Sequence, residues 1–166
     1  MLNIQYGEAR CRTVLHLLFP ELKATEIFHI DHLHPQTMFT KKNIAKLENL
    51  TDKQKAFYIN ASHWNSIANL HLLNDSLNLS KRDKLLDDWI KNNTSGFISK
   101  DLLIDDSVPL TFDFFEDFYN ARRKALKKRF IERVYIQSDN QEFNSRNLEI
   151  GEFDDLEVDG DNLLIA

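Results

Sequence analysis

The chain has 166 residues, of which 42% are apolar and 28% charged, and its formal net charge is −5. This length allows one domain with its own core. No apolar run approaches the roughly 20 residues of a membrane span, and the N-terminus lacks the features of a signal peptide, so we expect a cytoplasmic protein. The single cysteine, Cys11, excludes an internal disulfide and a thiolate zinc site, and we expect it to be a small buried apolar group.

The charge is distributed unevenly along the chain. Residues 138–166 contain nine acidic residues and one basic residue, a net charge of −8, whereas residues 1–137 carry +3. We therefore interpret 1–137 as the folded domain and 138–166 as an acidic tail. The Asp159-Gly160 pair suits a hairpin turn, and the alternative is a disordered tail. The mildly basic domain could meet phosphate, and the tail could compete with that phosphate for the basic segment 122–133.

The first half of the chain predicts mainly helices. Apolar periodicity indicates a helix over residues 7–18, which Pro20 ends. Residues 26–31 alternate in polarity and predict a short strand. Short helices are predicted over residues 40–47 and 52–61.

The second half predicts one further strand and two helices. Residues 69–73 form an apolar run between polar clusters, which indicates a second strand. Asp75 or Ser76 could cap a helix that runs to about Asn92. Pro109 and Thr111 open a long helix that continues to about residue 134. The predicted fold class is α+β and mostly helical.

Two polar motifs carry the chemistry. His29, Asp31, His32 and His34 fall within six positions and are followed at once by Pro35. Such a cluster is costly to bury and is useful where a metal, a proton or a phosphate is handled. Downstream, Asn69 lies 37 residues after His32, and nine residues later the chain reads Asn78-Leu79-Ser80-Lys81.

This combination resembles the HNH nuclease motif, also called the ββα-metal or His-Me finger. Over about residues 1–135 the chain is most similar to the HNH domain at the C-terminal end of GmrSD-type restriction proteins, which degrade modified phage DNA. The resemblance implies a ββα-metal core embedded in helices and a DNA endonuclease that restricts foreign or modified DNA. It also implies a ParB-like nucleotide-hydrolysing domain as a partner, either in a longer protein or as a separate subunit.

The resemblance assigns roles to three residues. Asp31 and Asn78 correspond to the protein ligands of the metal, and His32 corresponds to the general base. One carboxylate, one amide oxygen and several waters suit Mg²⁺, for which Mn²⁺ could substitute. The products would carry 5′-phosphate and 3′-hydroxyl ends.

The pleat of a strand sets a constraint on this assignment. Asp31 and His32 point to opposite faces of a regular strand, so both reach one phosphate only if the strand ends there. Pro35 implies such an end at His32. His29 shares a face with Asp31 and is an accessory ligand or phosphate contact, and His34 is a second candidate for the base.

Other polar residues have two interpretations each. Asn69 is expected to fix the loop that carries His32 through side-chain to backbone hydrogen bonds. Asn78 is either a metal ligand or a helix-start cap, or both. Lys81 follows one turn later and either holds the scissile phosphate or is solvated. The remaining histidines and both tryptophans are interpreted as structural: His16, His63, His71, Trp64 and Trp89.

A basic run lies on the long helix. Arg123, Lys124, Lys127 and Lys128 cluster on the side away from Phe115. They are either a rail for the DNA backbone or cations favoured near the helix C-terminus by its dipole. For the whole protein, two alternatives to the nuclease stay open. One is a non-catalytic HNH-fold module that binds DNA or protein, and the other is an RNA-cutting toxin.

Overall fold

The fold is α+β and mostly helical, as predicted, and the computed structural model describes residues 2–22, 25–92 and 102–136. Two strands, β1 (Phe28–His32) and β2 (Leu70–Asn74), form an antiparallel sheet. The helices in the described part of the chain are α1 (Cys11–Leu18), α2 (Lys41–Ile44), α3 (Asp52–Ile59), α4 (Ala61–Trp64), α5 (Asp75–Lys81), α6 (Leu86–Asn92) and α7 (Phe115–Ile136).

The sheet and the helix that follows it form a compact strand–strand–helix unit. In the register of the sheet, Asp31 lies opposite His71 and His32 lies opposite Leu70. α5 begins directly where β2 ends, because the side chain of Asn74 accepts a hydrogen bond from the Leu77 N–H at 2.9 Å and caps the helix. The order strand, long connection, strand, helix is the order that the sequence predicted.

The sheet separates two apolar clusters. Leu73 belongs to the first, which contains Trp89, Phe115 and Phe118, whereas Leu70 and Leu72 belong to the second. β2 is therefore buried on both faces, which explains its nearly continuous apolar sequence. α7 supplies residues to both clusters and so packs across the whole domain, and each large apolar side chain that it buries contributes about 1.5–3 kcal/mol.

Arg122 of α7 ties that helix to the chain that enters β2. Its guanidinium is fully buried and donates hydrogen bonds to the carbonyls of Leu102 at 2.9 Å, Ile67 at 3.2 Å and Ala68 at 2.7 Å. Burial lowers the pKa of Arg122 to about 9. The residue occupies a position on the apolar face of α7, where its charge is met by carbonyl dipoles.

Some predicted boundaries are wrong. The single helix expected over residues 75–92 is two helices, because Arg82 adopts a φ of 46° and ends α5. Leu79 of α5 is 62% exposed. The helix expected over residues 7–18 begins only at Cys11, since the chain turns at Gly7, whose φ is +89°.

Shorter helices also replace the other two predictions in the first half. The helix expected over residues 52–61 is divided at Asn60, which has an extended backbone and caps α4. The helix expected over residues 40–47 is confined to α2, with Thr40 as its N-cap. Both strands lie within two residues of their predicted ends.

Several predictions are confirmed. α7 follows a short 3₁₀ turn at Phe112–Phe114 that opens at Thr111, and Cys11 is buried. No helix in the described part of the chain is long and apolar enough to cross a membrane. The acidic tail 138–166, with its hairpin or disordered alternatives, lies outside the described residues.

His34 is buried in an aromatic environment. Its side chain is fully inaccessible and packs against Phe115 and Phe118, with ring centroids 5.4 and 4.5 Å away. Neither ring nitrogen has a hydrogen-bond partner among the described residues. Burial lowers the pKa of His34 from 6.5 to about 3, and the charge of Lys81 acts in the same direction.

We predict that His34→Leu makes the protein less sensitive to acid. Below about pH 6.5 the unfolded chain binds a proton at His34 that the folded protein rejects, so the free energy of unfolding falls as the pH falls toward 3. Between about pH 7 and pH 5 this contributes a loss of about 1–2 kcal/mol that the leucine variant lacks. Urea unfolding of both proteins at the two pH values measures it, and parallel losses would contradict the prediction.

Candidate functional site

The candidate site lies where β1 faces α5. Two contacts join these elements: His29 Nε2 lies 2.6 Å from Asp75 Oδ1, and Lys81 Nζ lies 2.8 Å from Asp31 Oδ2. Three residues along a helix return a side chain to within about 60° of its starting direction, so Asn78 points between Asp75 and Lys81. The structure therefore places Asn78 on the face of α5 that meets His29 and Asp31.

The Lys81 ammonium is the buried centre of this contact. Its side chain has no exposed surface, and Nζ also donates a hydrogen bond to the His32 carbonyl at 2.6 Å. Asp31 Oδ2 is buried and receives no aligned hydrogen bond among the described residues, so its contact with Lys81 is ionic. The Asp31 side chain is still 23% exposed, although Oδ2 is buried.

This geometry corrects the prediction for Lys81. A solvated lysine is excluded, since the side chain is completely buried. A direct phosphate contact is also inconsistent with the structure, because the ammonium already binds Asp31 and the His32 carbonyl. Lys81 instead holds the end of β1 against α5.

His32 lies at the last position of β1, as predicted. Only 8% of the residue is exposed, and Nε2 lies 2.9 Å from the side-chain oxygen of Asn65. The rings of Tyr6 and Trp64 flank the imidazole, with centroids 5.0 and 6.0 Å away. Nδ1 makes no hydrogen bond to a described residue and is not sealed from solvent.

Burial sets the charge state of His32. Desolvation lowers the pKa of the imidazole, the hydrogen bond that the ring donates to Asn65 and the charge of Asp31 oppose this effect, and Lys81 adds to it. The net direction is downward from 6.5, so the ring is neutral at physiological pH. A neutral imidazole that reaches solvent can accept a proton.

Asp31 and His32 contact different parts of the protein. The carboxylate reaches α5, whereas the imidazole contacts Tyr6, Trp64 and Asn65. The charge of Asp31 still raises the pKa of His32. The end of the strand at His32 is thus where the two sets of contacts meet.

Asn69 makes the hydrogen bonds that the sequence predicted. Its side-chain oxygen accepts from the His34 N–H at 2.9 Å, and its amide donates to the His34 carbonyl at 3.0 Å and to the Trp64 carbonyl at 2.8 Å. The Asn69 carbonyl accepts from the Leu33 N–H at 2.8 Å. This buried side chain therefore holds the loop that leaves His32.

Two further expectations are corrected. His34 was the second candidate for the base, but its ring is buried among phenylalanines and cannot meet a substrate. Asn78 is not the helix-start cap, because Asn74 caps α5 and Asn78 lies within the helix. His29, the predicted accessory ligand or phosphate contact, is 48% exposed and pairs with the Asp75 carboxylate.

The basic residues of α7 divide into two groups. Lys124, Lys127 and Lys128 are exposed. Arg123 is half-buried, and its guanidinium donates to the side chain of Asn3 at 3.0 Å and to the hydroxyl of Tyr119 at 3.3 Å. Arg123, Lys124 and Lys127 line a shallow groove beside Leu2 and Asn3 at the N-terminal end of the chain.

The residues interpreted as structural have structural contacts. A ring nitrogen of His63 hydrogen-bonds the Phe57 carbonyl at 2.8 Å, and its ring stacks on that of Phe57. His71 is buried beside Arg122 and Phe19, and His16 packs edge-on against Phe28. Trp89 is fully buried, and Trp64 stacks on Phe39.

Asn65 is the residue that the sequence did not reveal. It ends the short helix α4, 33 positions after His32, and no motif marks it. Its proximity to His32 arises from the turn at Asn65 and from the N-terminal segment, whose Tyr6 N–H donates to the Asn65 carbonyl at 2.8 Å. Only the folded chain brings these segments together.

The donor set and the comparisons with known proteins complete the description. No group of three or more His, Cys, Asp or Glu side chains that could hold a metal occurs among the described residues. The pair Asp31 and Asn78 is not such a group, because it has two members and one of them is an amide. No protein-family model and no curated protein matches this chain.

We predict that Lys81→Met strongly destabilises the protein. Removing the ammonium leaves the partly buried Asp31 carboxylate without its counter-charge, at an expected cost of about 2–4 kcal/mol in the free energy of unfolding. Adding Asp31→Asn should recover part of that loss, and a double-mutant cycle by urea unfolding measures the coupling.

The matched control is Lys91→Met. Lys91 pairs with Asp87 across 3.9 Å, but its side chain is 73% exposed, so its loss should change stability by less than about 1 kcal/mol. Equal effects of the two lysine substitutions would contradict a special role for the buried pair.

Proposed function

We propose that this protein is a Mg²⁺-dependent DNA endonuclease that hydrolyses phosphodiester bonds. The observation that carries the proposal is the strand end at Asp31 and His32. There, a neutral imidazole with one nitrogen open to solvent follows a carboxylate that binds Lys81 of α5, the helix that also carries Asn78. This arrangement supplies a proton acceptor and oxygen ligands within one small unit.

His32 acts as the general base in this proposal. It removes a proton from the attacking water, and its low pKa keeps it unprotonated before the reaction. Tyr6 and Trp64 restrict the ring, so the accepting nitrogen keeps one direction. Asn69 supports the same geometry through the loop that follows.

Asp31 and Asn78 would hold the metal. Lys81 binds Oδ2 of Asp31 and thereby leaves Oδ1 for a cation, and Asn78 offers an amide oxygen from the same face of α5. Two oxygen donors and solvent suit a hard ion such as Mg²⁺, with Mn²⁺ as a substitute. When bound, the ion would stabilise the charge of the phosphate and of the leaving oxygen.

DNA would approach along the basic side of α7. The exposed Lys124 and Lys127 border the groove that begins at Leu2 and Asn3. From there the N-terminal segment continues to Tyr6, which contacts His32. A phosphate backbone in this groove would thus be led toward the base, which favours the rail interpretation of the basic run.

The resemblance noted in the sequence adds the biological setting to this proposal. Restriction of foreign or modified DNA, with a ParB-like nucleotide-hydrolysing domain as partner, is consistent with a small nuclease unit. Recognition of the modified base would then belong largely to that partner.

We predict that His32→Ala reduces nicking of supercoiled plasmid by about 10²–10⁴-fold, the contribution of a positioned base. DNA affinity should be nearly unchanged, because the base acts only in the transition state. Asp31→Asn and Asn78→Ala should instead raise the Mg²⁺ concentration needed for half-maximal rate, because each weakens one of few ligands. Agarose-gel assays across a Mg²⁺ titration, with chelator as blank, measure both effects.

Asn49→Ala is the matched control for Asn78→Ala, since Asn49 is exposed in the loop between α2 and α3. It should leave the Mg²⁺ curve unchanged. A wild-type protein that binds DNA without cutting it would support the non-catalytic alternative. Cleavage of RNA in preference to DNA would support the toxin alternative.

We also predict that Lys124→Gln with Lys127→Gln weakens DNA binding and flattens its salt dependence. Each lost phosphate contact should reduce the slope of log affinity against log salt by about 0.9. Fluorescence anisotropy with the His32→Ala protein measures this without cleavage. The control pair Lys41→Gln with Lys42→Gln removes two exposed lysines of α2 and should have little effect. Equal losses in both pairs would contradict a defined DNA path.

A further inference from the structure

We propose that Asn65 is a positioning residue that fixes the tautomer of His32, so that Nδ1 is the atom that accepts the proton. The inference deepens the proposed function and rests on it for its catalytic meaning. The position of the His32 ring proton itself follows from the contacts of the two side chains.

The contact with Asn65 decides which ring nitrogen of His32 carries the proton. His32 Nε2 lies 2.9 Å from Asn65 Oδ1, and an amide oxygen can only accept a hydrogen bond. Nε2 must therefore carry the proton. A neutral imidazole has one ring proton, so the lone pair is then on Nδ1.

The two ring nitrogens of His32 differ in accessibility. Nε2 is engaged with Asn65, whereas Nδ1 has no partner among the described residues and still reaches solvent. Only Nδ1 can therefore meet a water molecule. If the proton were on Nδ1 instead, the open nitrogen would be a donor and could not act as a base.

Asn65, the partner of His32, is held rigidly by its backbone. The backbone of Asn65 is held at both groups, since its N–H donates to the Ala61 carbonyl at 2.9 Å and its carbonyl accepts from the Tyr6 N–H at 2.8 Å. Tyr6 also packs on the His32 ring. One segment thus fixes the amide and the imidazole together, which is what a residue that sets a tautomer requires.

The test is nitrogen NMR of the ¹⁵N-labelled full chain at about pH 8, above the ordinary histidine pKa of about 6.5. Long-range proton–nitrogen correlations distinguish protonated from unprotonated ring nitrogens, and loss of signals in His32→Gln assigns the residue. We expect His32 to have a protonated Nε2 and an unprotonated Nδ1. A protonated Nδ1 in the wild-type protein would overturn the proposal, because the amide would then be donating.

Two variants separate the role of the acceptor from that of side-chain size. Asn65→Asp keeps an oxygen acceptor and should preserve the tautomer, whereas Asn65→Leu removes the acceptor and should give a mixture. His29 is far more exposed and bonds to Asp75, so its spectrum is an internal control that should not change. An unchanged His32 spectrum in folded Asn65→Leu would overturn the proposal. If the leucine variant does not fold, Asn65→Ala takes its place.

Plasmid nicking measures how the Asn65 variants affect catalysis. Asn65→Leu should lower kcat within the 10²–10⁴-fold that a positioned base contributes and leave KM for DNA nearly unchanged, and Asn65→Asp should restore most of the rate. Equal loss in both variants would contradict a role through the acceptor. If the wild-type chain does not cut nucleic acid, the proposed function fails, while the spectra still decide where the His32 proton lies.

Discussion

The buried ammonium of Lys81 is the interaction on which the rest of the site depends. It joins α5 to the end of β1 through the Asp31 carboxylate and the His32 carbonyl, with no exposed side-chain surface of its own. A buried lysine is tolerated only where its charge is balanced and its protons are bonded. Its presence therefore fixes the distance between the strand and the helix.

This fixed distance has a chemical consequence for Asp31. One carboxylate oxygen is buried against Lys81, while 23% of the side chain stays exposed. A carboxylate that is half neutralised by an ammonium attracts a second cation less strongly than a free one does. In the proposed nuclease, this carboxylate would therefore bind the metal less tightly but in a direction that Lys81 fixes, and a reaction that depends on geometry requires such a fixed direction.

Much of this arrangement could be predicted from the sequence. The order of β1, β2 and α5 followed from polarity patterns, and the role of Asn69 followed from the general habit of Asn side chains to bond loop backbone. The break between α5 and α6 could not be predicted, because residues 75–92 have continuous helical periodicity and the stop depends on the backbone of Arg82. The burial of Lys81 was also hidden, since a lysine one helical turn after a polar residue is normally solvated.

Asn65 illustrates a second limit of the sequence. Local patterns report which residues share a helix face or a strand face, but not which loops meet in space. The contact between Asn65 and His32 depends on the N-terminal segment, which pairs with the chain at Ser66 through Gln5 and places Tyr6 on the imidazole. Each of these segments is unremarkable when it is considered alone.

The same principle explains why His32 is the histidine to which we assign the base in the proposed reaction. His29, His32 and His34 are equivalent in the sequence motif, yet the fold gives them different surroundings. His29 is exposed and bound to a carboxylate, and His34 is enclosed by aromatic rings that keep it neutral far below physiological pH. His32 alone among them combines burial, which lowers its pKa, with a nitrogen open to solvent and an amide partner. The base of the proposed reaction is therefore the last residue of the strand, where the regular pleat ends and the ring meets a different set of neighbours.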